Sequence, residues 1–376
     1  MPALRQHSIE VILANQAPGG AFVACPTMPD YQYSWFRDGS YIAYALDLVG
    51  EHAAAHRFHE WAAGVIVVHR AAVTRAEACI AEGRPLDDAA ILHTRYTIEG
   101  TVGADWWPNF QLDGIGTWLW AVGDHARRWA ATHGARDPRE DLPAGWREAI
   151  ETAARYLAAL WRVPNYDLWE ENGNQRHAYT QAAVWGGLAA AAGLLDRPDL
   201  LDAANAVRAE LLDVTDQIGH FTKFLPGSDS APDSAPSGGV DGSLIGVALP
   251  HGAVPVGHPA FACTVALIER GLRAEGGGVH RFAGDEYYGG GEWILLTAWL
   301  GWYYAATGQR ERAAELLAWI EAQADARGNL AEQAPQHLIH PETYQPWVGQ
   351  RGPIAQPLLW SHAMYLLLCH ALEETS

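Results

Sequence analysis

Apolar residues recur with a helical period along most of the chain, and two kinds of segment alternate. Segment 309–324 places apolar residues at i, i+3, i+4 and i+7 from Ala313, with charged residues between them, which predicts an amphipathic helix. The preceding segment, 292–306, is apolar on all sides and predicts a helix buried around its whole circumference. A wholly apolar segment precedes an amphipathic one twice more, at 178–194 before 199–213 and at 111–124 before 144–162. This alternation predicts an inner ring of buried helices within an outer ring.

The helical pattern predicts twelve helices, which suit six pairs in a closed (α/α)6 barrel. We expect them near 4–14, 38–49, 52–81, 111–133, 144–162, 176–194, 199–213, 241–249, 259–274, 291–307, 309–325 and 356–373. Signals for strands are weak, because the chain has no long alternating run of Val, Ile or Thr. Only short extended pieces are predicted, near 215–225 and 335–350. The predicted fold class is therefore all-α.

One stretch rich in Pro, Gly and Ser, PGSDSAPDSAPSGG at 226–239, interrupts the helical pattern. Such a composition is typical of a linker between domains or of a flexible loop. Helices of the same alternating kind are predicted on both sides of it, so we favour a flexible surface loop within one domain. We therefore expect a single domain over residues 1–376.

The charge balance excludes one class of partner. The 376 residues contain 44 acidic and 25 basic side chains, a net charge of −19, so the chain would repel the phosphates of nucleic acid. No run of about 18 apolar residues is present, and Arg5 and Glu10 stand where a signal peptide needs an apolar stretch. We expect neither a membrane segment nor export, and hence a cytoplasmic protein.

The cysteines form no Cys-x-x-Cys pair and are expected to be reduced thiols: Cys25, Cys79, Cys263 and Cys369.

Tryptophan is the commonest aromatic residue, since 17 Trp exceed 14 Tyr and 8 Phe. Most Trp side chains pack in cores, and we apply that interpretation to the majority of them. Many nevertheless stand beside acidic residues or Gly. An indole face stacks on the apolar face of a sugar ring while neighbouring carboxylates accept hydrogen bonds from its hydroxyl groups. The composition therefore favours carbohydrate as a ligand.

Two acidic segments are candidates for catalysis. A loop expected between two helices contains Glu170 and Glu171 directly after Trp169. Adjacent acids in a loop are usually only solvated, but Tyr166 and Trp169 would supply an apolar wall that raises the pKa of a carboxyl group. The second candidate is Glu332, which follows a Gly turn and an apolar pair. Carboxylates from two such distant segments could face each other across the mouth of a barrel and flank a glycosidic bond.

Six short segments spread over the whole chain match the motifs of one enzyme family. They are DYQYSWFRDGS at 30–40, WWPNFQLDG at 106–114, YDLWEENG at 166–173, HRFAGDEYYGGGEW at 280–293, GNLAEQ at 328–333 and GPIAQPLLWSHA at 352–363. In this order they resemble glycoside hydrolase family 15, the group of glucoamylases, glucodextranases and isomaltose glucohydrolases. Any one motif would be weak evidence, but six in order make a chance match improbable. The resemblance implies a catalytic domain built as a barrel of six helix pairs.

The resemblance also implies which residues perform the reaction. The general acid of the family falls on Glu170, the general base on Glu332, and a residue that binds sugar beside the scissile bond on Glu171. Tyr31 matches a pocket tyrosine that touches the catalytic water and assists the base, and Tyr287 matches the tyrosine that holds it in place. Such an enzyme inverts the anomeric centre without a covalent intermediate, and its two carboxyl groups stand about 6.5–9.5 Å apart to leave room for water.

Five further positions are implied to bind substrate. Arg37 and Asp38 match a pair that grips hydroxyl groups at the closed end of the pocket, and a guanidinium beside a carboxylate suits vicinal hydroxyls. Trp107 matches a pocket tryptophan and Arg281 a sugar-binding arginine, while Trp35 lies in the same motif as the Arg-Asp pair. A pocket closed at one end implies exo-action, with release of β-glucose from the non-reducing end of an α-glucoside.

Departures from the family narrow the expected substrates. Bacterial glucoamylases carry an additional N-terminal β-sandwich domain and some fungal ones a starch-binding module, and 376 residues leave room for neither. The GGGE sequence at 289–292 also replaces residues that often line this loop in the family. We therefore expect small α-glucosides, with isomaltose-like α-1,6 links or short oligosaccharides preferred. Trehalose is an alternative substrate, because some bacterial members of the family hydrolyse it.

Proteins of other classes stay open as alternatives, because the same barrel occurs in polysaccharide lyases, epimerases and non-catalytic proteins. A sugar-binding module would be expected to lack one of the two glutamates, whereas Glu170 and Glu332 are both present. A lyase needs a base and cations that hold a uronate, and Lys223 is the only lysine of the chain. The sequence does not decide the oligomeric state.

Histidines outside the motifs do not indicate a metal site. His56 and His59 beside Glu60 have no third ligand at a suitable spacing, and the same holds for His337 and His340. We therefore predict no metal and no cofactor.

Three residues within the matching motifs have simpler interpretations than a sugar contact. We interpret His362 as a hydrogen-bonded histidine of the core. Asp285 and Glu292 either orient the nearby Arg281 or touch substrate, and the sequence does not choose between these roles.

Overall fold

Helices make up almost all of the regular structure in the computed structural model, which describes residues 2–134, 137–140, 142–225 and 239–374. The α-helices are α1 (Pro2–Ala14), α2 (Phe36–Leu48), α3 (His52–Val68), α4 (Arg70–Ala81), α5 (Asp113–His133), α6 (Ala144–Leu160), α7 (Ala178–Leu195), α8 (Pro198–Ile218), α9 (Pro259–Leu272), α10 (Ile294–Ala306), α11 (Arg310–Ala322), α12 (Pro341–Arg351) and α13 (Leu359–Glu374). Two antiparallel pairs of very short strands join them: β1 (Ser34–Trp35) with β2 (Arg95–Tyr96), and β3 (Glu292–Trp293) with β4 (Gln333–Ala334).

The inner ring consists of six helical elements, each packed against the next. In order these are α2, α5, α7, the 3-10 helix Gly242–Val247, α10 and α13, and α13 packs back onto α2. These helices are buried on nearly every side: in α10 only Trp302 and Ala306 are not buried. Close approach needs glycine, since a Cβ on Gly116 of α5 would lie 2.5 Å from a backbone oxygen of α7. The ring is thus closed by wholly buried helices, as their sequence pattern predicts.

The outer ring surrounds these elements with one-sided helices. Its members are α1, α3, α6, α8, α9 and α11, each packed on one or more elements of the inner ring. In α11 the buried residues are those that the helical period selects, namely Ala313, Leu316, Leu317 and Ile320. The predicted all-α fold with an inner ring inside an outer ring is confirmed, and α4 and α12 lie outside this twelve-membered count.

Two predicted helices differ from the observed ones. The helix expected over 52–81 is two helices, because His69 leaves the helical conformation (ψ 13°) and its ring lies 3.2 Å from the carbonyl oxygen of Gly100. The helix expected over 241–249 is a six-residue 3-10 helix capped by Asp241, whose carboxylate accepts from the Ser243 N–H. The periodicity on both sides of His69 is unbroken, so the sequence did not show the break.

The predicted extended pieces are correct only in part, since Phe224 forms an isolated antiparallel bridge with His177 but part of each piece is helical. Residues 215–218 complete α8, which ends where Gly219 adopts φ 84°. Most of the piece near 335–350 is helix α12, which begins at Pro341, and proline suits the first helical position because its missing N–H has no partner to satisfy there. The observed strands are only two residues long, which is too short for an alternating pattern to predict.

Several other expectations concern the chain as a whole. The predicted loop at 226–239 falls mainly on 226–238, which lie outside the described residues, so this loop and the single domain stay predictions. The four cysteines are free thiols, as expected. Within the described residues, no helix has the length and apolar character that crossing a membrane requires.

Candidate active site

A cavity of about 800 Å³ opens at the N-terminal ends of the inner helices. The short strand pairs help to build it, because β1 precedes α2, β3 precedes α10, and β4 directly follows Glu332. All ten residues expected to act in catalysis or substrate binding line this one cavity: Tyr31, Trp35, Arg37, Asp38, Trp107, Glu170, Glu171, Arg281, Tyr287 and Glu332. The barrel therefore brings together segments that are up to 301 residues apart in the chain.

The two carboxylate oxygens of Glu332 differ, because one accepts a hydrogen bond and the other does not. Its Oε1 accepts a hydrogen bond from the Tyr31 hydroxyl at 3.0 Å, and that hydroxyl lies 3.0 Å from the hydroxyl of Tyr287. Its Oε2 is buried and has no hydrogen-bond partner among the described residues. Burial raises the pKa of Glu332 to about 7, while the hydrogen bond from Tyr31 acts in the opposite direction. The free oxygen is a ready acceptor for a small polar group such as water.

Glu170 is held by donors from two other segments. The indole N–H of Trp35 donates to Oε1 at 2.8 Å and Gln111 Nε2 donates to the same atom at 3.1 Å, with Arg37 Nη2 at 3.8 Å. Glu170 also has a positive φ of 67°, which is strained for a non-glycine residue. Two donors on one oxygen leave the other oxygen of this carboxyl group as the site for a proton.

The apolar wall expected around Glu170 does not consist of the two residues that the sequence predicted. Tyr166 does not line the cavity, and its ring covers Gly173, where a Cβ would lie 2.7 Å from it. Trp169 does line the cavity, but its indole N–H donates to Asp241 at 3.0 Å. Trp35, expected to contact sugar, is the aromatic residue in direct contact with Glu170.

A buried ionic network lies beneath the loop that carries Glu170. Asp167 Oδ1 accepts the backbone N–H groups of Trp169 and Glu171 at 3.0 and 2.9 Å. Lys223 Nζ lies 3.1 Å from carboxylate oxygens of both Asp167 and Asp241. Burial disfavours the charged form of Lys223, but the attraction of the two carboxylates is stronger. The pKa of Lys223 is therefore raised. The only lysine of the chain thus ties this loop to the 3-10 helix that Asp241 caps.

Arg37 and Asp38, which were expected at a closed end of the pocket, both line the cavity, but the arginine has other principal partners. Arg37 Nη1 donates to Gln111 Oε1 at 2.8 Å and to Asp113 Oδ2 at 3.1 Å, whereas Arg37 Nε lies 3.5 Å from Asp38 Oδ2. That Asp38 oxygen is buried and makes no hydrogen bond to the described residues. Burial raises the pKa of Asp38 to about 7, although Arg37 lowers it. Asp38 therefore offers the free acceptor of this pair, and Arg37 is fixed by its other partners.

Arg281 is oriented by Asp285. Its Nε donates to Asp285 Oδ2 at 2.8 Å, and its Nη2 lies 3.4 Å from Glu171 Oε1. Of the two roles left open, Asp285 thus has the orienting one. Glu292 has neither role, since it accepts the Gly278 N–H at 3.0 Å and does not line the cavity.

His362 is a core histidine, as expected. It is fully buried, accepts the Leu330 N–H at Nε2 (3.0 Å) and contacts the Ser8 hydroxyl through Nδ1 (2.9 Å). It therefore supports the segment that carries Glu332 from below the cavity.

Several residues around the cavity could not be predicted from the sequence. Gln111 and Asp113 lie in a motif that was recognised, but their contacts with Arg37 and Glu170 could not be predicted without the fold. Arg95, whose guanidinium stacks 3.7 Å from the ring centre of Trp107, comes from a segment without any recognised motif. Trp347 lines the cavity from α12, which was expected to be extended.

One group of described residues has the ligand types and spacing for a metal ion, namely Asp47, His59 and His125. None of them lines the cavity. The pairs considered from sequence are used differently: His337 contacts Glu292 at 3.2 Å and His340 contacts Glu342 at 3.2 Å.

The geometry can be compared with known proteins. The family model for glycosyl hydrolases family 15 matches residues 3–370. The chain belongs to this family. An isomaltose glucohydrolase of Kribbella flavida is 42% identical to it, over 98% of this chain and 92% of that protein. The protein is therefore a glycoside hydrolase, which confirms the family resemblance and removes the lyase and binding-module alternatives.

Solved structures agree with this assignment. A glycosidase variant in complex with glucose has a TM-score of 0.88 and 42% identity, over 99% of this chain and 96% of that chain. A glucoamylase from Saccharomycopsis fibuligera has a TM-score of 0.72 at 17% identity, over 100% of this chain and 95% of that chain. The second likeness shows that the barrel is shared with glucoamylases even where little of the sequence is.

Proposed function

We propose that the protein is an inverting exo-α-glucosidase that releases β-glucose from small α-glucosides, with isomaltose-like α-1,6 links preferred. The observation that carries the proposal is the pair of differently held carboxyl groups in one cavity. Glu332 has a free buried oxygen, and Glu170 has both donors on one oxygen. An inverting hydrolase needs one carboxyl group that protonates the leaving oxygen and one that accepts a proton from water.

Glu170 acts as the general acid in this proposal, and Glu332 acts as the general base. The hydrogen bonds from Trp35 and Gln111 to Oε1 leave the second oxygen of Glu170 to carry the proton for the leaving group. The free Oε2 of Glu332 accepts a proton from the attacking water, while Tyr31, whose hydroxyl also contacts that of Tyr287, holds Oε1. Tyr31 is thus placed to assist the base, and no covalent intermediate is formed.

The closed end of the cavity selects the non-reducing sugar. Asp38 has a buried oxygen without a hydrogen-bond partner among the described residues, so a sugar hydroxyl can donate to it. Arg37 lies beside it, fixed by Gln111 and Asp113. A cavity that ends in these groups accommodates a chain terminus rather than the middle of a polysaccharide, which supports exo-action.

The lining of the cavity supports the preference for small substrates. Trp107 and Trp347 belong to it, and Arg281 with Glu171 lies beside the proposed scissile bond. The α-1,6 preference is supported by the 42% identity to an isomaltose glucohydrolase over nearly the whole chain.

We also propose a single catalytic domain and a cytoplasmic location. The exposed free thiol of Cys263 supports the location, because free thiols persist in reducing compartments.

The proposal is tested by identifying the first product and ranking substrates. Proton spectra recorded within the first minutes of α-glucosyl fluoride hydrolysis, whose leaving group carries no anomeric centre, should show β-glucose ahead of mutarotation. kcat/KM should rank isomaltose above maltose, maltotriose and trehalose. Initial α-glucose would overturn the inverting mechanism, and a highest kcat/KM for trehalose would move the assignment to a trehalase-like member of the family.

A further inference from the structure

A second polar cluster lies at the other end of the barrel from the cavity. Asp47 follows Asp38 by nine residues in α2, and His125 follows Asp113 by twelve residues in α5. At 1.5 Å of rise per residue, these positions are about 14 and 18 Å further along the two helices. His59 of α3 joins them, and one ligand atom of each of the three lies within 4.8 Å of the others. All three side chains are buried.

Two more histidines of α3 complete the cluster. His52, His56 and His59 follow each other at i, i+4 and i+7 and so share one face of α3. His52 Nδ1 lies 2.8 Å from Asp47 Oδ1, and His125 Nδ1 lies 2.8 Å from Asp47 Oδ2. His56 Nδ1 lies 3.3 Å from His125 Nε2. The carboxylate of Asp47 is therefore held by imidazoles on both oxygens.

His59 is the member that the protein leaves unsatisfied. Its side chain is 0% exposed, and neither ring nitrogen has a hydrogen-bond partner among the described residues. A buried neutral imidazole without a partner is costly unless something accepts its lone pair or its N–H. Trp146 packs against His59, His125 and His56 and encloses the cluster.

We propose that Asp47, His59 and His125 bind a divalent transition-metal ion, and that zinc is the ion whose ligand preferences they fit. Zinc binds neutral imidazole nitrogen and carboxylate oxygen at about 2.0–2.2 Å, which places neighbouring ligand atoms of a tetrahedral site about 3.3 Å apart. Among the three ligands, His125 Nδ1 lies 2.8 Å from Asp47 Oδ2, and one ligand atom of each residue lies within 4.8 Å of the others, which brackets that separation. His52 on Asp47 and His56 on His125 are second partners of the kind that orient metal ligands.

The site would affect stability and not the reaction. None of its residues lines the cavity, and the ion would join α2 and α5 of the inner ring to α3 of the outer ring. Binding to the folded protein alone stabilises it by mass action. At a free zinc concentration about a hundred times Kd, the melting temperature of a chain of this length rises by about 3 °C. This inference is independent of the proposed function.

The experiment measures metal content and melting temperature on the whole chain, prepared without a histidine tag. Protein is stripped with a chelator, dialysed, reloaded with zinc chloride and analysed by elemental mass spectrometry. One equivalent of zinc and a higher melting temperature are expected for the wild type. His59→Gln should lose both effects. His251→Gln is the matched control, because His251 is equally buried and unpartnered among the described residues but lies outside the cluster; this variant should keep both.

Three results would overturn the proposal: no retained zinc in the wild type, equal retention in His59→Gln, or loss in His251→Gln alone. If His59→Gln fails to fold, anomalous diffraction at the zinc edge from reloaded wild-type crystals decides. A peak within about 2.0–2.2 Å of ligand atoms of Asp47, His59 and His125 supports the site. A peak elsewhere, or none, contradicts it.

Discussion

Glu170 and Glu332 line the same cavity but are held in opposite ways. Glu170 lies at a strained position on a loop, with Trp35 and Gln111 donating to one oxygen. Glu332 lies in a bend directly before β4, with one tyrosine donor and one free buried oxygen. Donors fix the direction of a carboxyl group, whereas a free oxygen leaves room for another molecule. The difference teaches that the protein orients one carboxyl group and keeps the other available.

The raised pKa of Glu332, taken alone, would suggest that Glu332 is the general acid and not the base. Burial raises the pKa of Glu332 to about 7, which favours its protonated form below that pH. A general base must be ionised, so the proposed roles require the enzyme to work where Glu332 has lost its proton. The role of base that the family implies requires an ionised Glu332, whereas burial favours its protonated form. Experiments on Glu170 and Glu332 can separate these two effects.

The largest expected effect comes from removing the proposed base. Glu332→Ala should lower kcat on isomaltose by about 10²–10⁴-fold, because general-base catalysis contributes on that order. Substrate binding should survive, since the base acts on water. Calorimetric binding of isomaltose and steady-state rates check both parts. Glu292→Gln is the control, as it changes a buried glutamate outside the cavity and should keep kcat within a few-fold. More than about a tenth of wild-type kcat in Glu332→Ala would contradict its role.

Removing the support of Glu170 should have the next largest effect. Lys223→Met leaves Asp167 and Asp241 as buried unpaired carboxylates, a loss of about 3–5 kcal/mol. The melting temperature should fall by about 4–6 °C, and kcat by about tenfold or more as Glu170 loses its orientation.

The control for Lys223→Met is Arg75→Met, which breaks a solvent-exposed ion pair with Asp87 and should leave the melting temperature almost unchanged. A lower melting temperature with unchanged kcat in the folded Lys223→Met protein would mean that the network supports the fold without positioning Glu170.

Asp38→Asn should weaken catalysis and strengthen the fold. Loss of a charged acceptor for a sugar hydroxyl costs about 1.5–3 kcal/mol, or ten- to a hundredfold in kcat/KM. The folded pKa of Asp38 is raised to about 7, so its ionised form destabilises the protein above that pH, and this cost fades as the pH falls towards 4. The melting temperature of the variant should therefore exceed that of the wild type at pH 8 by more than at pH 5. A lower melting temperature at pH 8 with unchanged kcat/KM would indicate a structural ion pair.

The smallest effect concerns the pH dependence. Because Glu332 must be ionised, kcat/KM should fall on the acid side, with a midpoint above the ordinary glutamate value of 4.5 and near 7. Tyr31→Phe removes a hydrogen bond that lowers the pKa of Glu332, so the midpoint should move to higher pH, by about one unit or less. The same midpoint in Asp38→Asn would exclude Asp38 as its source. A midpoint that moves to lower pH in Tyr31→Phe would contradict the contact.

The sequence predicted the rings and the members of the cavity better than the contacts between them. Buried and one-sided helices differ over many residues, so α7, α8, α10 and α11 could be predicted from periodicity. The break at His69 and the two-residue strands involve too few residues to alter a periodic pattern. Motifs identified the roles of Glu170 and Glu332 but not the contacts of Gln111 or Lys223, because hydrogen bonds between distant segments exist only once the barrel closes.

The histidine cluster shows the same limit. The spacing of His56 and His59 suggested an incomplete metal site, since only the packing of α2 and α5 against α3 brings Asp47 and His125 to them. Spacing along one helix identifies ligands on that helix alone.

The division of roles is tested most directly by comparing two substrates on two variants. Fluoride departs from α-glucosyl fluoride without a proton, whereas the leaving glucose of isomaltose needs one. Glu170→Gln should therefore lose about 10²–10⁴-fold in kcat/KM on isomaltose and less than about tenfold on the fluoride. Glu332→Gln should lose heavily on both substrates. If instead Glu332→Gln is the variant spared on the fluoride, Glu332 is the acid and the proposed assignment is reversed.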